Sequence, residues 1–139
     1  MHEIRSLCES RQAREYGPAE VVALHLDIVF SAFRVDTGLL RLLERRRLDD
    51  IQTHQDQSGA NSEVADLIWG LLVRKLPDRD PEELRRRVFY VHNIIRGSVV
   101  WSILPEGGEV GSGLKVTDPE FAEAALGMAL AYLGIDPAR

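Results

Sequence analysis

A chain of 139 residues, 45% hydrophobic and 28% charged, suffices for one domain with a buried core and leaves little room for a second. Its 17 basic against 22 acidic residues give a net charge of -5, opposite to the footprint of a domain whose main contact is a phosphate backbone. A lone cysteine, Cys8, excludes an intramolecular disulfide framework, and the charged opening MHEIRSLCESR has no apolar run of the kind a secretory signal needs, so the cytoplasm is the expected compartment.

After a lead-in helix over residues 1–16, Gly17-Pro18-Ala19-Glu20 reads as a helix start, with glycine at the cap, proline at the first helical position and an acid in the first turn. Val22, Leu26, Val29 and Phe33 recur at helical spacing, and Val21, His25, Ile28 and Ala32 form a second stripe beside them, which predicts a helix buried over a wide arc. Asp36-Thr37-Gly38 interrupts it. Leu39, Leu40, Leu42 and Leu43 followed by Arg45-Arg46-Arg47 predict a shorter helix with its cations at the C-terminal end, where the macrodipole favours them. The polar stretch 49–61, DDIQTHQDQSGAN, reads as a loop or as a helix with a ragged end.

From Ser62 to Leu76 the residues Val64, Leu67, Ile68, Leu71 and Leu72 share one side, opposite Glu63, Asp66 and Gly70, as in a surface helix with one inward face. Pro77 and Pro81 bracket a break, and Asp80-Pro81-Glu82-Glu83 supplies a capping side chain, a first-turn proline and a glutamate at the third helical position. Glu82 with Arg86 and Glu83 with Arg87 add pairs one turn apart. Beyond them Val88 to Leu104 is almost continuously apolar, but His92, Asn93 and Arg96 near its middle argue for a central helix and against a membrane span. Residues 106–116 are glycine-rich and predict a flexible loop; Asp118-Pro119-Glu120 then repeats the cap chemistry, and a helix rich in small residues runs to Gly134. The expected fold is therefore all-α, an antiparallel bundle of about five to six helices forming one domain over 1–139.

None of these segments carries a catalytic signature, so the chain is not expected to be an enzyme. Glu-x-x-His spacing is absent around the four histidines, Asp50 and His54 read as a solvated pair, and no metal or cofactor is expected. Cys8 lies in a charged segment with no nucleophile motif around it. Glycines 107, 108, 111 and 113 lack the lysine and spacing of a phosphate loop, and the arginine runs 45–47 and 85–87 read as solvated faces. More informative are His25, His92, Asn93 and Arg96, polar groups set within apolar stripes that must find partners if buried. Two readings stay open: an internal hydrogen-bond network, or a mostly apolar pocket with Phe33, Trp69, Tyr90 and Trp101 as aromatic walls. For an enzyme, His25 with His92 would be the one candidate titratable pair.

In element order the chain resembles the C-terminal regulatory domain of TetR-type transcriptional repressors. The resemblance is carried by the lead-in His2 to Glu15, the long buried helix, a short leucine-rich helix, a polar loop and an amphipathic helix, then the DPEELRRRVFYVHNIIRGSVVW helix, a glycine-rich loop and the final DPEFAEAALGMALAYL helix. It covers essentially the whole chain. It implies a homodimer whose axis is bundled by Leu84 to Leu104 and Pro119 to Leu133, through Val91, Ile95, Ser98 and Ser102 on the first and Phe121, Ala125, Met128 and Tyr132 on the second. It implies a site for a small lipophilic effector near His25, Val29, Phe33, Trp69 and His92. In that family DNA is read by a helix-turn-helix preceding this domain; residues 1–16 are too few to form one, so DNA is an expected partner only through a unit absent from this chain. The alternative expectation is a headless stand-alone helical protein that mediates protein interactions or sequesters a ligand.

Overall fold

The computed structural model describes residues 1–34, 51–103 and 119–138, and among these every regular element is a helix. In chain order they are α1 (His2–Glu9), α2 (Arg11–Glu15), α3 (Pro18–Arg34), α4 (Ile51–Lys75), α5 (Pro81–Ile103) and α6 (Pro119–Leu133). The all-α bundle expected from the sequence is thus the fold observed. The leucine-rich helix expected at 39–47 and the loop expected at 106–116 lie outside the described residues.

The lead-in is two helices, because Ser10 leaves helical geometry at ψ 155° and caps α2 by accepting a hydrogen bond from the Ala13 amide at 3.1 Å. At the start of α3 the Glu20 carboxylate reaches back to accept from the Gly17 amide at 3.2 Å, and Pro18 occupies the first turn as its spacing predicts. Helix α4 begins at Ile51, so the stretch read as loop or ragged end is helical from that residue on. The reason is that 51–75 contains no proline. Its glycines cost only about 1 kcal/mol each in helix propensity, and a long helix can absorb them. After the Pro77 turn, Asp80 Oδ2 accepts from the Glu83 amide at 3.2 Å and starts α5. The Glu83 side chain pairs with Arg87 at 2.8 Å, one turn on.

Helix α3 lies against α4, α5 and α6, which explains its wide buried arc: Val21, Val22, Leu26, Val29 and Phe30 all enter the core. Ile68 and Leu72 from α4, Leu84, Val88 and Val99 from α5 and Leu133 from α6 are fully buried around it, each worth about 1.5–3 kcal/mol in apolar burial. Helices α1 and α2 strap the outside of α4. Cys8 and Ala13 are buried beneath the strap, Arg5 pairs with Glu63, and Lys75 Nζ donates to the Arg14 carbonyl at 2.8 Å. Burial and the neighbouring Glu9 raise the Cys8 pKa, which keeps its sulfur protonated and unreactive.

The end of α6 is held by two means. Gly134, at φ 66°, sends its amide to the Ala131 carbonyl at 3.2 Å while Ile135 donates to Leu130 at 3.0 Å, and buried Ile135 and Leu130 supply the apolar contact such a terminus favours. Two arginines then take up carbonyls at the end of the helix: Arg79 Nη1 donates to Leu133 at 2.6 Å and Arg87 Nη1 to Tyr132 at 2.8 Å. Because the nearest atom to an added Cβ at Gly134 is 3.6 Å away, the requirement for glycine is conformational, not spatial. Gly134→Ala is expected to lower unfolding free energy by about 1–2 kcal/mol without changing the helical circular dichroism, as a denaturant titration would record.

Candidate functional site

Two of the polar residues singled out in apolar stripes meet. His25, from the middle of α3, and His92, from the middle of α5, are both buried, and His25 Nε2 lies 2.8 Å from His92 Nδ1. The rings are within 8° of parallel, and their 5.1 Å centroid separation matches that N···N distance plus the two ring radii. The imidazoles therefore meet edge to edge in nearly one plane, as a linear N–H···N bond requires, and not face on face. One ring must donate and the other accept, so the accepting ring is neutral, and burial favours the neutral form of the donor as well. Burial first, with the neighbouring His92 second, pushes the His25 pKa down to about 3; burial and then Arg96, one turn along α5, push His92 down to about 4. Among the described residues no buried side-chain nitrogen or oxygen lacks a hydrogen-bond partner.

The other expected pocket residues do not all join this pair. Val29 is buried one turn beyond His25 on α3, in contiguous core. Phe33 belongs to α3, but its side chain, like that of Trp101, lies outside the described residues. Trp69 stands elsewhere. Its Nε1 donates to the Pro81 carbonyl at 2.9 Å, and Pro81 is eleven residues before His92, about 16 Å along α5. Arg85 lies 5.5 Å from the Trp69 ring centre and 5.5 Å from that of Phe89, while its Nε donates to Asp66 at 3.1 Å. Trp69 is thus a strut of the α4–α5 hairpin. The arginine run 85–87, read as a solvated face, is engaged in part: Arg85 in this strut, Arg87 at the end of α6.

The last two long helices present a second feature. Val91, Ile95, Ala125 and Ala129 are buried within the chain's own core, whereas Tyr90 and Ile94 on α5 and Met128 and Tyr132 on α6 are exposed, Ile94 by 61% and Met128 by 70%. Small exposed residues, Gly97 on α5 and Ala124, Gly127 and Ala131 on α6, continue the same faces at helical spacing. Between the helices a groove of about 200 Å³ has Val91, Ile95 and Ala129 as its floor and Ile94, Met128 and Tyr132 as its walls. The Arg87 guanidinium lies 5.3 Å from the centre of the Tyr132 ring and borders this apolar area with charge. Of the expected interface residues, Met128 and Tyr132 stand on the open face, Val91 and Ile95 beneath it, and Ala125 within the core. Phe121 turns inward to meet Phe30 at 5.8 Å, and Ser98 Oγ donates to the Ile94 carbonyl at 2.9 Å. The Ser102 side chain lies outside the described residues.

Scans against protein-family models, curated proteins and solved structures each return no match for this chain. No group of three or more potential metal ligands occurs among the described residues, and none of their helices is long and apolar enough to cross a membrane.

Proposed function

We propose that the chain is a sensing and dimerising regulatory domain of the TetR type, in which a small lipophilic effector alters the arrangement of a symmetric homodimer. The observation that carries this reading is the continuous, solvent-facing apolar surface formed jointly by α5 and α6, bordered by Arg87. Large apolar side chains at isolated surface positions are ordinary. A contiguous set spanning two helices, with small residues beside it and a cation at its edge, has the make-up of an interface centre and rim. Two copies related by a two-fold axis would close it as a four-helix bundle, each helix pair meeting its own image. The element order resembling TetR regulatory domains supports the same assignment for these two helices.

In this reading the His25–His92 bond is a fixed internal link between α3 and the first dimer helix, α5. An effector lodged against α3 would bear on the dimer through helices that α3 directly touches, and it would shift the dimer only by its difference in affinity between two arrangements. Sedimentation velocity from 1 to 100 µM, combined with a thermal-shift screen of lipophilic compounds, tests both halves. The expected result is a species of twice the 15.6 kDa chain mass whose melting temperature rises with excess of at least one compound. A strictly monomeric chain sinks the dimer assignment; a dimer indifferent to every compound sinks the sensing role and leaves an interaction module.

A further inference from the structure

Met128 is the most exposed large apolar side chain among the described residues, and it forms a wall of the groove on the α5–α6 face. A leucine there would serve the same apolar role. The thioether adds a chemistry that leucine lacks: its sulfur reacts with peroxides without first losing a proton, so access governs the reaction. The chain's other two sulfurs are placed differently. Cys8 is buried beneath the strap and kept protonated, and Met1 precedes α1, which packs on α4.

The groove beside Met128 sets the consequence of oxidising it. Its lining side chains are apolar except for the Tyr132 hydroxyl. The cation at its border is already engaged, since Arg87 Nη1 donates to the Tyr132 carbonyl at 2.8 Å and Arg87 Nε pairs with Glu83 at 2.8 Å. A sulfoxide oxygen at Met128 keeps its water in the free protomer, where it costs the fold little. In a face closed by a second copy it gives up that water with few donors to replace it, and the two-fold axis makes the loss occur twice.

We propose that Met128 is a redox modification site through which peroxide opposes assembly of the α5–α6 face. The thioether sulfur attacks one oxygen of hydrogen peroxide, the O–O bond breaks and an S–O bond forms. The departing hydroxide takes the proton of the transferred OH and leaves as water, so sulfur gives up two electrons and the peroxide takes up the same two. Sulfoxide reduction restores the thioether, which makes the change reversible. The proposal rests on the dimer reading above and names its regulation. Because a second copy would cover the same side chain, assembly protects Met128 and oxidation works against assembly.

The test exposes the full chain to dilute hydrogen peroxide at about 1 and 100 µM protein, reading oxygen addition at each methionine by peptide mass and assembly by sedimentation velocity. Conversion of Met128 to the sulfoxide is expected to weaken the dimer by a factor of about 30 or more, and methionine sulfoxide reductase to reverse the loss. Met128 should oxidise more slowly at the higher concentration, where the dimer covers it, whereas Met1 should oxidise at one rate at both. Met128→Leu should dimerise like the parent and ignore peroxide. Met128→Gln, an uncharged polar group of similar length, should weaken the dimer with no oxidant present, and both variants should keep the parent's helical circular dichroism. A dimer that survives full conversion of Met128, equal Met128 oxidation rates at the two concentrations, or a Met128→Leu dimer that still dissociates in peroxide would each overturn the proposal and leave the dimer reading standing. A parent that is monomeric before any peroxide is added would overturn both, so the two failures are distinguishable.

Discussion

At pH 5 the chain is expected to be markedly less stable than at pH 7.5, and a His25→Leu/His92→Leu double variant is expected to remove most of that difference. In the unfolded chain both imidazoles protonate near their ordinary value of about 6.5. In the folded chain they stay neutral until the pH approaches about 4 for His92 and about 3 for His25. The stabilisation is therefore whole above about pH 6.5 and is lost as pH falls from there toward 4, at roughly 1 kcal/mol per pH unit for each histidine. Below about pH 3 the folded and unfolded chains carry the same protons on these rings and the slope vanishes. Across the window the loss amounts to several kcal/mol, a large part of the stability of a small domain. The double variant keeps every other ionisable group, so the difference between parent and double variant is the quantity to read from denaturant titrations. Single variants should behave worse than the double: His25→Leu leaves His92 Nδ1 buried without its partner, at a cost of about 1–3 kcal/mol. Parallel pH profiles for parent and double variant would refute the neutral pair.

Ile94→Asp and Met128→Glu are each expected to abolish dimerisation while leaving the protomer folded. The two side chains are 61% and 70% exposed in the single chain, so a charge there costs the fold little, within about 0.5 kcal/mol. At a two-fold interface every substitution enters twice, and burying two like charges near the axis should weaken association by a factor of about 100 or more. Val91→Asp makes the control. Val91 is 4% exposed, and a carboxylate there should unfold the chain. Sedimentation and melting curves separate the two behaviours. A parent that dimerises but whose Ile94→Asp and Met128→Glu variants remain dimeric would place the interface elsewhere.

Helix starts and ends were readable because they depend on neighbouring residues. Gly17-Pro18 with Glu20, Asp80-Pro81 with Glu83, and Gly134 each specify a terminus within one turn, and each lies where that chemistry puts it. The start of α4 was less legible, since residues 51–61 have no apolar period, and their helicity follows only from the absence of a breaker. Which side of α5 is open was harder still. Tyr90 and Ile94 lie one residue before Val91 and Ile95, a rotation of about 100°, and in a run apolar on nearly every side the docking of α3, α4 and α6 decides which stripes are covered. Aromatic character alone groups Trp69 with the histidines. A signal in the chain points to a different partner: Trp69 lies six residues before the end of α4 and Arg85 four residues after the start of α5, so folding the two helices back on each other brings them to similar levels. Of the four polar residues set within apolar stripes, His25, His92, Asn93 and Arg96, only the packing of α3 on α5 decides that the two histidines are buried together, while Asn93, one residue on from His92, is exposed.

The arginine grip on the end of α6 bears on the order in which the molecule assembles. Arg79 and Arg87 reach carbonyls 54 and 45 residues further along the chain, so the grip can form only after a long loop has closed, an entropic cost that rises with the logarithm of loop length. The α4–α5 hairpin, whose Asp66, Trp69 and Arg85 meet across a short turn, has no such delay. Docking of α6 then belongs to the late side of the folding barrier, and its release to the early side of unfolding. Amides of Gly134 and Ile135 should consequently exchange with solvent through a sub-global opening of α6, one that uncovers Leu133 and Ala129 while the hairpin stays shut. A second copy seated on Met128 and Tyr132 would close that opening, making assembly the step that locks the last helix in place.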